Sequence, residues 1–376
     1  MDLLLSRLQL IFNIPESNYS AEQIHAGHIN HTFKISATTG SVYILQKLNG
    51  AIFHNIKDLM SNFQLVTDTI NNFNLNSATK IEVPLIIETR SGQLFYTDEN
   101  QSHWRLITFI KGIDNKHVTV NSKTAYEGGQ AFGMFLRGVS ALNPKELNVI
   151  IPDFHSLEYR FKQFQQALEN NLAKRAAAVQ SEIEFIESWH SKMVKIPHLL
   201  ATGKIPIRIT HNDTKLTNVV FSEKLEAIGV IDLDTVMPGS ALYDFGDAIR
   251  TLTNRANEDE PEIEKVHFDI SLFKAFSEGY IKSTASILCH DEIENFTDSA
   301  LLMTYIIGLR FFTDYLNGDT YYQIHHPEHN LVRARVQFRL LSQMSAHHAE
   351  MQEIIRTIAS RHSIPQESFH PNNQEL

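Results

Sequence analysis

Residues 208–250, RITHNDTKLTNVVFSEKLEAIGVIDLDTVMPGSALYDFGDAIR, restrict this chain more than any other stretch. Within them His211, Asp213, Lys215 and Asn218 form an H-x-D-x-K-x-x-N array, and the apolar run Ile228-Gly229-Val230-Ile231 ends in Asp232. Val219-Val220-Phe221 and that run read as two short strands joined by SEKLEA. Such a hairpin would carry Asn218 and Asp232 to one end. Turns rich in Asn, Asp and Thr carry these residue types for capping alone. An apolar strand ending in Asp at this distance argues for chemistry instead. Phosphoryl transfer is mostly positioning and charge neutralisation: one carboxylate orients the acceptor hydroxyl, while an Asn and a second Asp hold magnesium against a triphosphate. Asp213 suits the first task and Asn218 with Asp232 the second, with Lys215 placed to meet the γ-phosphate. An oxygen-only ligand set matches a hard ion that keeps several waters and its phosphate ligands.

The Asp-to-Asn spacing matches the protein-kinase catalytic loop H-R-D-x-x-x-x-N, with Asn212 in place of Arg. Leu233 and Asp234 follow Asp232 where protein kinases have Phe and Gly. The array therefore resembles that of small-molecule kinases with the aminoglycoside-phosphotransferase fold. The longer run H-N-D-T-K…V-I-D-L-D-T-V-M-P-G…Y-D-F-G-D-x-I-R is similar to a narrower group, the N-acetylhexosamine 1-kinases. A second block, G-L-R-F-F-T-D-Y-L-x-G-D-x-Y over residues 308–321, joins it, as do G-H-I-N, L-Q-K-x-N and W-R. Together they span about residues 20 to 345.

The resemblance implies an α+β, bilobal protein-kinase-like fold. Residues 1–111 would be a small β-rich N-lobe and residues 112–376 a larger, mainly helical C-lobe. It implies ATP as co-substrate, Mg2+, and a sugar acceptor held by Arg310 and Tyr321, with Arg250 and Phe154 (in I-P-D-F-H) nearby. From the residues alone, Arg310 equally suits an ion pair with Asp314, and I-P-D-F-H a packing loop. Gly27, His28 and Asn30 would belong to a nucleotide loop; taken alone, they also suit a plain hairpin.

On the third strand, SVYILQKLN, the cation that usually meets the α- and β-phosphates has two candidates. Lys47 has the right charge, but the register favours Gln46 pointing inward, and neighbouring strand residues cannot share a face. In HWRLITFIKG, Thr108, Phe109 and Ile110 read as the hinge that meets adenine; a buried edge strand is the alternative. Apolar spacing predicts helices over 53–73, 126–142, 161–186, 189–200, 299–319 and 337–358, and strands over 81–87 and 92–97. Asp244, at the start of a further helix, is expected to accept N–H bonds from the catalytic loop. His325, His326 and His329 read as solvated, since Pro327 breaks any metal-binding spacing.

A formal charge of −10 argues against nucleic-acid binding. No apolar run reaches the ~18 residues of a membrane span. The first residues, MDLLLSRLQLIFNIPE, read as an amphipathic helix rather than a signal peptide. Cys289, the sole cysteine, excludes an internal disulfide. The expectation is a cytoplasmic kinase acting as a monomer, although the residues do not disclose oligomeric state. Kinases of choline, homoserine or another sugar, and a nucleotide-binding pseudokinase, are the rival readings.

Overall fold

The computed structural model describes residues 7–15, 18–24, 29–113, 118–362 and 364. Its elements run α1 (Leu8–Ile11), β1 (Tyr19–Ile24), β2 (His31–Ala37), β3 (Val42–Lys47), α2 (Ile56–Asn76), β4 (Ile86–Ile87), β5 (Tyr96–Thr97) and β6 (His103–Thr108). There follow α3 (Ser122–Gly138), α4 (Leu157–Asn170), α5 (Gln180–Met193), α6 (Lys195–Ala201), β7 (Arg208–Thr210), β8 (Val219–Phe221), β9 (Ala227–Val230) and β10 (Met237–Gly239). The chain closes with α7 (Ala241–Leu252), α8 (Ile270–Thr284), α9 (His290–Glu294), α10 (Phe296–Leu316), α11 (His329–Ala346) and α12 (His348–Ala359).

The first part is an antiparallel six-stranded sheet in the order β1-β2-β3-β6-β4, with β5 also paired to β6. Alternation sorts its side chains. Ile35, Leu45, Trp104 and Leu106 form an outer cluster with Leu8 and Phe12 of the first helix region. The opposite face carries Ile44, Gln46, Arg105 and Ile107 and meets α2. That helix is capped by Asn55, whose side chain accepts the amides of Lys57 and Asp58. Its residues Phe63, Val66 and Ile70 belong to the same core as the helical part, so α2 joins the two regions.

The second part is helical around α10, which is buried on nearly every side and hence shows no polar face. Helices α3 and α8 cross almost backbone to backbone. A Cβ on Gly129 would run into the Phe276 carbonyl oxygen, and one on Gly279 into the Tyr126 carbonyl oxygen. Two short ladders, β7 with β10 and β8 with β9, carry the loops of interest. Cys289 is buried at the start of α9, its thiol pushed up to about 12 by that burial and by Glu292.

The architecture is a sheet-rich region followed by a mainly helical one, the α+β arrangement expected. Several expected segments differ. The helix expected over 161–186 breaks after Asn170, where Asn171 turns left-handed at φ 42°. Arg175 is pulled aside to the Tyr315 carbonyl and the Asp319 carboxylate, which overrides the helical tendency of the alanines after it. The span 189–200 divides at Val194, and the closing helix is two, α11 and α12, parted at His347. Strands expected over 81–87 and 92–97 pair over only two residues each. Among the described residues, no helix is long and apolar enough to cross a membrane.

Candidate active site

The H-x-D-x-K-x-x-N segment leaves β7 and is fixed from behind by Asp244 in the first turn of α7. Both carboxylate oxygens of Asp244 accept backbone amides, from His211 at 2.8 Å and Asn212 at 2.7 Å. Thr214 donates its hydroxyl to the Asp244 carbonyl, and Thr235 donates to that of His211. Asn212 adopts φ 63°, a left-handed conformation that Asn tolerates well, and this turns the next residue outward. His211 is buried between Phe132 and Phe135, and burial lowers its pKa. Its partners fix the tautomer: Nε2–H donates to the Ile231 carbonyl at 3.0 Å, while Nδ1 accepts the Asp213 amide at 3.3 Å.

Asp213 thus emerges on a rigid turn. Lys215 Nζ lies 2.9 Å from its Oδ1, and Asn218 Nδ2 donates to its Oδ2 at 3.1 Å and to its carbonyl at 2.9 Å. Burial works against the Asp213 charge, but Lys215 outweighs it and holds the carboxyl below the ordinary aspartate range. Burial likewise opposes the Lys215 charge, and Asp213 with Asp247 overcomes it, raising the ammonium pKa.

The pairing of β8 and β9 brings Asn218 and Asp232 to one end of the hairpin, where the Ile231 amide donates to the Asn218 carbonyl at 2.9 Å. Asp232 has φ 64° and is exposed to solvent. The protein around it, with the carboxylates of Asp234 and Asp213, raises the pKa of its carboxyl. A carboxylate so disfavoured invites a cation. Asn218 Oδ1 has no donor among the described residues, so these two side chains fit a divalent ion. No cluster of three His, Cys, Asp or Glu side chains able to hold a metal occurs among the described residues. Two protein ligands suit magnesium, which keeps waters and phosphate oxygens, better than an ion needing an all-protein cage.

The sheet contributes Arg105, which the sequence reading passed over. It lies opposite Gln46 in the β3–β6 register, and Gln46 Oε1 accepts from its Nε at 2.9 Å and its Nη2 at 2.7 Å. Its Nη1 pairs with Asp234, and its guanidinium lies 4.8 Å above the Phe63 ring. A lone arginine inside the apolar stretch WRLITFI was the available signal, since a buried charge demands a partner. Lys47 falls on the opposite face from Gln46. Asn30 donates to Asp234 at 2.6 Å. Gly27 and His28 lie outside the described residues. Phe109 and Ile110 follow β6 where the chain crosses to the helical part: Phe109 lies under the Lys34 ammonium, Ile110 packs beside Gly229, and the Ile113 amide reaches the Phe221 carbonyl.

On the other side of Asp213, His155 donates Nε2–H to the Asn212 carbonyl at 3.2 Å, and Phe154 stacks beside it. The Arg310 guanidinium lies over three rings, Phe154 at 5.1 Å, Tyr322 at 5.7 Å and Tyr321 at 5.9 Å. Asp314 is not its partner. That carboxylate instead accepts the amides of Thr320, Tyr321 and Tyr322 and the amide group of Asn330. Arg160 is close by, bonded to the Phe154 carbonyl; burial and then Arg310 lower its pKa to about 10. Arg250 is only 4% exposed and committed to Asp247 and Glu258, in the wall rather than on the cavity. A separate cavity of about 280 Å³, lined by Leu136, Val139 and Arg208 among others, lies away from all these groups.

Comparison with known proteins bears on the family and the fold. The family described as "APH: Phosphotransferase enzyme family" matches residues 20–273. Among solved structures, a microcompartment-associated aminopropanol kinase is similar with a TM-score of 0.65 at 15% identity, covering 93% of this chain and 98% of its own. An amicoumacin kinase in complex with AMP-PNP, Ca2+ and Ami gives 0.57 at 13% identity, with 97% and 95% covered. A choline kinase from Cryptosporidium parvum Iowa II gives 0.55 at 13% identity, with 96% of both chains covered. At such identities the likeness speaks for the fold alone.

Proposed function

We propose, from the premise that this chain belongs to the APH phosphotransferase enzyme family, that it transfers the γ-phosphoryl group of ATP to the anomeric hydroxyl of an N-acetylhexosamine. The observation that carries the reading is the meeting of Asp213, Lys215 and Asn218 within hydrogen-bond distance, beside Asp232. Asp213 orients the acceptor hydroxyl and receives its proton as the O–P bond forms and the bond to ADP breaks. A carboxylate below the ordinary range is a weak base, but an anomeric hydroxyl is more acidic than a common alcohol and asks less of it. Lys215 compensates charge on the transferring group. Asn218 and Asp232 would hold magnesium, which when bound neutralises the phosphates. Gln46, Asn30 and the hinge residues Phe109 and Ile110 would border the nucleotide.

The acceptor side supports a sugar over an amino alcohol. A cationic acceptor needs free aromatic faces or carboxylates. Here Arg310 already covers Phe154, Tyr321 and Tyr322, Arg160 adds a second positive charge, and Asp247 and Glu258 are taken by Arg250. Guanidinium and phenol donors instead suit hydroxyls and an acetamido carbonyl. ADP release with Mg·ATP and a panel of free N-acetylhexosamines, other sugars and amino alcohols tests this. N-acetylhexosamines should give the highest kcat/KM, and preference for choline or aminopropanol would refute the acceptor assignment. Asp213→Asn should lower kcat roughly 10²–10⁴-fold while ATP binding survives; wild-type turnover in that variant would remove Asp213 from the mechanism.

A further inference from the structure

The loop that carries Asp232 is held by a joint between the two regions of the fold. Asp234, two residues on and buried in the turn 233–235, presents one carboxylate oxygen to Arg105 of β6 and the other to the Asn30 side chain. Arg105 and Asp234 are 1% and 3% exposed, so water screens neither. Asn30 passes the connection on: its Oδ1 accepts the Asn49 amide at 3.0 Å, and Asn49 Nδ2 donates to the Ile29 carbonyl at 3.2 Å. The far side of Arg105 is closed by Gln46, whose Nε2 donates to Thr32 at 3.1 Å. Sheet, the segment at residues 29–30 and the Asp232 loop thus converge on one carboxylate.

Two facts define what this joint does. Arg105 is already engaged on every side-chain nitrogen: Nη1 pairs with Asp234 and lies 4.0 Å from the Met60 sulfur, Nε and Nη2 donate to Gln46, and its face covers Phe63. Asp234, for its part, directs both carboxylate oxygens to donors from the sheet side, Arg105 and Asn30. We infer that Arg105 is a positioning residue: through Asp234 it sets the loop that aims Asp232, replacing a phosphate-facing strand lysine by a buried ion pair one strand over. The inference rests on reading Asp232 as a magnesium-holding residue. It also accounts for a neutral glutamine at position 46, whose carbonyl is needed to hold the guanidinium.

The test needs no acceptor. Binding of Mg·ADP, and of ADP in EDTA, is measured by calorimetry on the full chain and its variants, alongside Tm. Arg105→Lys keeps the charge but loses the planar fork, and should weaken Mg·ADP binding about tenfold, with ADP binding in EDTA changed little. Arg105→Met leaves Asp234 buried with Asn30 but without its counter-charge, so Tm should fall. The double variant Arg105→Met/Asp234→Leu should recover Tm, since an apolar pair replaces a buried ion pair without stranding a charge. Its Mg·ADP binding should nonetheless remain weakened. Wild-type Mg·ADP affinity in the double variant, or equal weakening with and without magnesium in Arg105→Lys, would overturn the inference. Wild-type protein that binds no Mg·ADP would overturn the reading of the site and this inference with it.

Discussion

Arg310 shows how the surroundings of a single side chain decide between two readings that the sequence leaves open. Its charge inside an apolar stretch signalled a special surrounding, and the alternative partner one helical turn away, Asp314, instead accepts three amides of the following loop. Arg310 lies over rings brought from two segments, Phe154 and the adjacent Tyr321 and Tyr322, which no local spacing reveals. Arg310→Ala should therefore raise the acceptor KM at least tenfold, about the worth of a charge-assisted hydrogen bond, and leave the ATP KM nearly unchanged. Parallel changes in both constants would place Arg310 in the scaffold. The residues around Asp213 were legible because their bonds are local, within the H-x-D-x-K-x-x-N span or to the nearby Asp244. Arg105 was not, because its partners Gln46 and Asp234 are set by strand register and by the meeting of sheet and loop.

Among the elements, α8 concentrates two features that ordinary helices carry singly. Asp269 caps its first turn, accepting the amides of Ser271 and Leu272, and pairs with Arg255. Burial opposes its charge, but these hydrogen bonds prevail and bring its carboxyl down to about 2. A depressed carboxylate adds stability above its unfolded pKa, and that contribution fades as pH falls through the folded value. Asp269→Ala should cost about 1 kcal/mol at pH 7, and in urea titrations its gap to wild type should narrow between pH 4 and 2. A constant gap would separate the cap from the charge. Farther along, Gly279 admits no side chain, since the intruding atom would strike backbone rather than a yielding side chain. Gly279→Ala should cost about 1–3 kcal/mol through helix displacement, measured by the same titrations. The apolar period announced α2, α3 and α10, but the close crossing of α3 and α8 at small residues leaves no periodic signature. Nor did period reveal the breaks at Asn171 and His347, which come from tertiary contacts and capping.

For the whole molecule, the position of α2 decides what can move. Its apolar face is shared with the helical core, and Asn62 bonds the Asn148 and Val236 carbonyls across the boundary. The outer sheet cluster around Leu45 and Trp104 is separate. Adjustment to a nucleotide should fall to β1–β3 while α2 stays with the helices. Hydrogen exchange with and without Mg·ADP should show new protection in residues 19–50 and little change in the middle of α2; strong change in α2 would mean that the sheet region moves as one body with it. The two-part architecture was readable from strands giving way to helices, whereas this welding of the parts was not, because α2's amphipathic pattern does not say which core it enters. Cys289 carries a last consequence. With one sulfhydryl per chain, enclosed and reluctant to ionise, the native protein offers thiol reagents nothing until the helical core opens, so the pace of labelling is a built-in clock for that opening.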